Sequence, residues 1–239
     1  MIKAAIDRIL ELGGPHIINN SDNDHLYTDK KLFRMDSCLR AEPIEIHSLS
    51  GLVDYISKTE DLGGKNYMVI VKSPTLVELV SELDDDQERE TLIEVTAQVP
   101  EFRFERFIPN EEFIIGMQSK FLDEHDRGLL LKFAGGVKTE TVAEYGDTGV
   151  GQKATIRAGV SALKEVEVPN PCRLAPYRTF TEVSQPASSF IFRVMDQDGG
   201  VACGLFEADG GAWKHEAMHN IAAYLEEELK SFDNILVIS

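Results

Sequence analysis

Residues 190–229 read FIFRVMDQDGGVACGLFEADGGAWKHEAMHNIAAYLEEEL, and a change of period inside this stretch decides the fold. Phe190 to Met195 and Val201 to Phe206 are rich in β-branched and aromatic residues. They flank Asp196-Gln197-Asp198-Gly199-Gly200, a glycine-containing connection whose length suits a β-hairpin. After Asp209-Gly210-Gly211 the apolar residues Trp213, Ala217, Ile221, Tyr224, Leu225 and Leu229 recur at three- and four-residue steps, which places them on one face of a helix with Asp209 as N-cap. Lys214, Glu216, Asn220, Glu227 and Lys230 fall mainly toward the other side, as in a helix laid across a sheet. Upstream, Tyr177 to Val183 reads as a strand closed by Gln185-Pro186, and Asn234 to Ile238 as a short final strand.

Composition sets the limits around this stretch. With 239 residues, 43% of them hydrophobic, the chain can bury a substantial core. A net charge of -17 and a pI near 4.7 argue against a generic nucleic-acid binder, because duplex backbones attract proteins through Lys and Arg. Cys38, Cys172 and Cys203 are widely spaced and form no C-x-x-C pair, so reduced thiols are expected rather than a disulfide framework or structural zinc. No basic-apolar signal segment opens the chain, and no apolar run approaches the roughly 20 residues needed to span a bilayer. A cytoplasmic protein is expected, in the host's cytoplasm if the chain is viral.

The rest of the chain mixes helix and strand signals. Ile2, Ala5, Ile6, Ile9 and Leu10 mark an amphipathic helix stopped at Gly13-Gly14-Pro15. Strand-like pieces follow at His16 to Ile18 and Leu32 to Arg34. Ser48 or Ser50 caps a helix carrying Leu52, Val53 and Ile56 and ending near Gly63-Gly64. Tyr67 to Val71 predicts a strand covered on both faces. Leu76 to Leu83 and Glu90 to Ala97 predict a hairpin around Asp84-Asp85-Asp86. Asn110 is an expected N-cap for a helix through Phe121, and a second helix, Arg127 to Phe133, is expected to end at Gly135-Gly136. Thr148 to Ser161 is punctuated by glycine, with a strand at Lys153 to Arg157, and Val168-Pro169-Asn170-Pro171 is a stiff connector. The class is therefore α+β, with mixed, mostly antiparallel sheets, flanking helices and a C-terminal β-hairpin followed by an amphipathic helix. The expected organisation is an N-terminal region over 1–100, a helical connector over 101–145 and a β-rich region over 146–239, or one continuous domain.

Three constellations could carry chemistry. His215-Glu216-Ala217-Met218-His219 is H-E-x-x-H on the C-terminal helix: two imidazoles one turn apart can share a zinc ion, with Glu216 as base toward metal-bound water. A third ligand is missing locally, since Ala222 and Leu225 stand where the extended motif has Gly and His. Glu226 lies roughly 10 Å further along the helix at 1.5 Å per residue. His125, His47 or Asp209 would have to supply the third ligand. The plainer reading is an exposed face of an amphipathic helix. Gly146-Asp147-Thr148-Gly149-Val150-Gly151-Gln152-Lys153-Ala154 superficially resembles a phosphate loop but has Gln152 in the lysine slot and no following Ser or Thr for magnesium, so a turn into a strand is expected. Arg178 and Arg193 offer forks for phosphate or carboxylate, and Trp213 a stacking surface. The competing reading pairs the arginines internally with Glu182, Glu207 or Asp209.

Leu174-Ala175-Pro176-Tyr177-Arg178-Thr179-Phe180, Glu182-Val183, Gln185-Pro186, Ser188 to Arg193 and Phe206 to Trp213 together resemble the hallmark of the YfdQ-like phage and prophage proteins. Val71 to Thr75, Phe102-Arg103-Phe104, Glu112 to Ile115 and Asp147 to Gln152 extend the likeness over most of the chain from about Tyr67. The resemblance implies a protein carried by tailed phages and prophages, and assigns no catalytic residue. The expected function is a non-enzymatic binding protein without cofactor, acting as a homo-oligomer. In its concrete form it serves counter-defence by holding a small anionic, nucleotide-like signal, with Arg178 and Arg193 facing phosphate and Trp213 facing a base. The alternatives are a zinc hydrolase built on His215, Glu216 and His219, and an acidic decoy that mimics DNA.

Overall fold

The computed structural model describes residues 2–13, 17–20, 25–28, 41–84, 87–139, 145–147, 152–158, 162–197 and 200–239. The strand expected at Leu32 to Arg34, the acidic pairs Asp22 to Asp24 and Asp85-Asp86, and the middle of the glycine-rich turn, 148–151, lie outside the described residues. The chain divides into two compact units, Met1–Ala41 and Glu42–Ser239. In the first, α1 (Ile2–Leu12) precedes an antiparallel pair, β1 (Ile17–Asn20) and β2 (His25–Thr28).

The second unit is built on two main sheets. Strands β3 (Ile44–Ile46), β4 (Tyr67–Ser73), β5 (Leu76–Ser81) and β6 (Thr91–Thr96) form one with the last strand of the chain, and α2 (Leu49–Lys58) lies between β3 and β4. Strand β7 (Phe107–Pro109) and helices α3 (Asn110–Ser119) and α4 (Arg127–Thr139) follow, then β8 (Tyr145–Asp147), β9 (Gln152–Ala158) and β10 (Ala162–Val168), an antiparallel sheet of three. The chain closes with β11 (Cys172–Leu174), β12 (Ser188–Gln197), β13 (Gly200–Glu207), α5 (Ala212–Leu229) and β14 (Ile235–Ile238). The strand orders are β14-β4-β5-β6-β3 and β11-β12-β13-β7. All pairs are antiparallel except β14 with β4 and β3 with β6. The fold is α+β.

Period-2 alternation sets the core face of the first sheet. Tyr67, Val69 and Val71 of β4, Val77 and Leu79 of β5, and Ile93 and Val95 of β6 are buried with Leu49, Leu52 and Ile56 of α2 and Ile221, Ala222, Leu225 and Leu229 of α5. Each fully buried Val, Leu or Ile contributes roughly 1.5–3 kcal/mol. Ser48 caps α2, its hydroxyl accepting from the Gly51 N–H at 3.2 Å. Met68 and Ile70, on the opposite face of β4, are half-buried, so that strand is fully covered on one face only. The second core joins Phe113, Met117, Phe121, Leu130 and Phe133 to Phe190, Phe192, Cys203 and Leu205.

Several expectations change. The first core spans both boundaries expected near 100 and 145 and the second spans the one near 145, in keeping with the continuous-domain alternative: α5 packs on the first sheet and β14 is its edge strand, while β7 joins β13 in the second. Tyr177 to Val183 is not a strand. Its backbone is satisfied by one side chain instead, since Gln185 Oε1 accepts from the N–H of Arg178 (2.9 Å) and Thr179 (3.2 Å) while Gln185 Nε2 donates to Phe180 O. That irregular segment ties the sheets together: Thr179 Oγ1 donates to Pro74 O at 2.5 Å, and Phe180 and Val183 enter the first core. Asn110 does not cap α3. It sits inside the helix, buried, donating to Ala134 O at 2.8 Å and accepting from the Cys203 thiol. Helix α4 runs through Gly135-Gly136 to Thr139. No described helix is long and apolar enough to cross a membrane.

Candidate functional site

The hairpin β12–β13 and the first turn of α5 bring two of the three expected ligand residues together. Asp209 precedes α5, its Oδ1 accepting from the Gly211 N–H at 3.0 Å and its Oδ2 from the Trp213 N–H at 3.4 Å. Gly210 and Gly211 take φ of +63° and +82°, a left-handed turn that a residue with a Cβ rarely adopts. This turn delivers Trp213 onto Arg178, whose guanidinium carbon lies 3.9 Å from the indole centroid and 5.6 Å from the Phe190 ring.

Arg178 is 7% exposed. Its Nη1 donates to Glu207 Oε1 at 2.9 Å, and its Nη2 to Ser188 Oγ at 2.5 Å and Pro186 O at 3.4 Å. Burial pulls the guanidinium pKa down, and the carboxylates of Glu207 and Asp209 oppose that pull. The internal pairing weighed for this arginine is therefore realised, with Glu207 as its partner.

Arg193 stands elsewhere. On β12–β13 the directly opposed pairs are Phe190↔Glu207 and Arg193↔Gly204. Residues an odd number of positions apart on a strand project to opposite faces, so Arg193 leaves the sheet on the side away from Phe190, Glu207 and Arg178. The expected phosphate clamp of Arg178 and Arg193 with Trp213 on the base does not form: one arginine is consumed in a buried pair and the other is across the sheet. Arg178 Nε, Arg193 Nη1 and Trp213 Nε1 are buried and find no hydrogen-bond partner among the described residues.

His215, Glu216 and His219 are exposed on α5. The expected remote ligands are engaged elsewhere: Asp209 holds the start of α5, His47 Nδ1 lies 3.1 Å from Thr96 O, and His125 lies 3.9 Å from Glu124. No group of three or more His, Cys, Asp or Glu placed to hold a metal occurs among the described residues. A catalytic zinc needs three protein ligands, and among the described residues none stands beside His215 and His219 as a third. Gln152 and Lys153, from the phosphate-loop look-alike, open β9, while the turn expected before them lies outside the described residues.

Two concavities among the described residues bear on a binding site. One of about 230 Å³ is lined by Phe102, Arg103, Glu112, Gly116 and Lys120 among others, but its polar groups pair locally: Lys120 Nζ donates to Glu101 O, and Arg103 lies 3.8 Å from Glu112. The other, about 560 Å³, lies where β4 and β14 begin and β5 ends. Met68, Leu83 and Leu236 give it an apolar lining, and Asn66, Glu82, Arg89, Asp233 and Asn234 a polar one. Asn66 Nδ2 donates to Glu82 Oε2 at 3.2 Å and Asn234 Nδ2 to Lys65 O at 2.8 Å, which fixes both amides. These residues form no sequence motif, because they meet only through the parallel pairing of β14 with β4. No family model, curated protein or solved structure matches this chain.

Proposed function

We propose that this chain is a non-enzymatic binding protein of the YfdQ-like phage and prophage type, acting in the host cytoplasm and holding a small nucleotide-like ligand in the groove between the starts of β4 and β14. The observation that carries the reading is the make-up of that groove, an apolar lining of Met68, Leu83 and Leu236 beside two oriented asparagines and Arg89. A flat ring with polar edges suits such a site, since ligand pockets combine an apolar body with a few placed polar groups. Electrostatics narrow the class. Glu82 and Asp233 outnumber Arg89 in the lining, so a nucleoside or a singly charged nucleotide is favoured over a polyphosphate. Bond-breaking is not invoked: His215, Glu216 and His219, which suggested it, lie exposed on α5 with no third metal ligand beside them among the described residues.

The test is retention. Purified protein is incubated with a nucleotide extract of host cells, washed, denatured and assayed by mass spectrometry for released compounds. A retained nucleoside-like compound that is lost in Leu83→Arg, a substitution at a side chain 46% exposed, supports the reading. Nothing released, or equal retention by the variant, defeats it.

A further inference from the structure

Helix α5 (Ala212–Leu229) buries one face, with Ala217, Ile221, Ala222, Leu225 and Leu229, and leaves another open. On the open side stand His215 and His219, one turn apart in an unbroken helix and both exposed. Neither ring has a hydrogen-bond or ion-pair partner among the described residues. The other two histidines whose side chains are described do not form such a pair: His47 Nδ1 lies 3.1 Å from Thr96 O, and His125 lies 3.9 Å from Glu124. Two free imidazoles at this spacing are a chelating unit. Residues four apart on a helix hold their Cβ atoms about 5–6 Å from each other, and ring nitrogens bind a metal at about 2.0–2.1 Å. Rotation of the two side chains therefore brings both nitrogens to one ion with the backbone unmoved.

We propose that His215 and His219 together hold one divalent transition-metal ion on the surface of α5, with water in its remaining positions. Nickel(II) and copper(II) fit this donor set, since imidazole suits both and their affinity for a given nitrogen site exceeds that of the earlier first-row ions. Zinc(II) is held in proteins by three or four ligands and binds this pair more weakly. Magnesium and calcium take oxygen ligands and gain nothing from imidazole. The helix supplies the rigidity: because α5 is fixed by its buried face, binding orders two side chains and no backbone.

The charge of the chain adds a general attraction that the pair makes selective. A net charge of -17 draws in dications of every kind, and Glu216 and Glu226 are exposed on the same helix. Carboxylates suit magnesium and calcium, imidazoles nickel and copper. A preference for nickel over magnesium therefore reports the histidines and not the net charge. The metal site stands apart from the ligand reading, because no residue of α5 lines the groove.

Calorimetric titration of the full chain with nickel chloride at pH 7.5, in buffer containing excess magnesium, tests it. The parent binds one nickel ion at its tightest site. His215→Ala and His219→Ala each weaken that site by more than the roughly tenfold that loss of an outer-shell partner costs, and His47→Ala binds as the parent does. Spacing is the sharper control, because Ala223 is exposed and lies one turn beyond His219. His219→Ala combined with Ala223→His keeps the number of histidines but sets the two about 12 Å apart at 1.5 Å per residue, and binding stays weak. His215→Ala combined with Ala223→His rebuilds a pair one turn apart and restores the affinity. Every changed side chain is exposed, so all variants keep the parent's circular dichroism. A parent that binds nickel no tighter than His219→Ala overturns the proposal. So does nickel binding abolished by magnesium, or a failure of His215→Ala with Ala223→His to recover the site.

Discussion

The Arg178 guanidinium lies 3.9 Å from the centroid of the Trp213 indole, and this contact joins the two halves of the larger unit. Arg178 belongs to the irregular segment that crosses from the second sheet to the first, Trp213 to the helix that covers the first, and Glu207, which pairs with Arg178, to the end of β13. Residues of the 178–213 stretch thus meet around one buried cation. Their arrangement holds the sheets together and gives no open mouth to a ligand at Arg178, which is 7% exposed.

Replacing Arg178 by Ala should cost about 3 kcal/mol. Truncating one member of a buried pair leaves the other charge without compensation, typically at about 3–5 kcal/mol, and the 30% exposure of the Glu207 side chain puts this pair at the low end. Glu207→Gln should cost less, because an amide oxygen still accepts from Nη1. Urea unfolding of the two single variants and the double variant measures the coupling. A loss below about 1 kcal/mol for Arg178→Ala, the scale of an exposed ion pair, would show that the pair is not buried in solution.

What the sequence discloses depends on whether a feature is local. Strands β12 and β13 and helix α5 are legible because their periods are written in consecutive residues, but the N-cap of α5 is Gly211, two positions past the expected Asp209, whose carboxylate accepts from the Gly211 and Trp213 N–H groups from outside the helix. Tyr177 to Val183 has strand composition, but Gln185 supplies the hydrogen bonds that a neighbouring strand would, and composition does not reveal such a substitution. Asn110 looks like a cap from its acidic followers, yet its partners, Ala134 O and the Cys203 thiol, are far along the chain. The groove is illegible for the same reason, since Met68 and Leu236 adjoin only after β14 lies parallel to β4. The separation of Arg178 from Arg193 follows from strand alternation once the register is known.

Burial pushes the Cys172 and Cys203 thiols up to about 12 from an ordinary 9.0. In a Cys38→Ser background, neither should react with a thiol reagent at pH 8 until the protein unfolds, and both should react in denaturant. The sign of the pH effect is fixed: between about 9 and 12 the unfolded chain releases protons that the folded chain retains. Stability is therefore full below 9 and falls by about 1.4 kcal/mol per pH unit per thiol above it. Urea midpoints at pH 8, 9.5 and 10.5 in Cys172→Ala and the parent separate this contribution from lysine and tyrosine titration, and the variant should show the shallower decline.

Asp209→Ala should destabilise the protein by about 1 kcal/mol, because it removes the carboxylate that accepts from the Gly211 and Trp213 N–H groups, and Asp209→Asn by less, because the amide oxygen still accepts. Fluorescence offers a second readout. Trp213 is the only tryptophan in the chain and sits in the first turn of α5, so fraying of that turn moves the indole off Arg178 toward water. Emission should shift to longer wavelength in Asp209→Ala under native conditions and stay in place in Asp209→Asn. An unshifted Asp209→Ala spectrum would mean that packing alone holds the turn.

Gly116 in α3 sets two effects against each other. Alanine favours a helix over glycine by about 1 kcal/mol, which taken alone predicts a stabilised variant. A Cβ at this position, however, would stand 2.8 Å from Cε2 and 3.0 Å from Cδ2 of Phe102, closer than atoms of that size tolerate. The ring has little freedom to yield: its centroid is 4.8 Å from Phe104, 4.9 Å from Phe121 and 6.4 Å from Phe113, and Phe104 stacks on Phe190. Overpacking of this kind costs about 1–3 kcal/mol, so Gly116→Ala should be less stable than the parent despite its better helix propensity. Phe102→Leu removes the obstructing ring and should lower the penalty of Gly116→Ala when the two are combined. A Gly116→Ala variant more stable than the parent would show that Phe102 swings out of the cluster without cost.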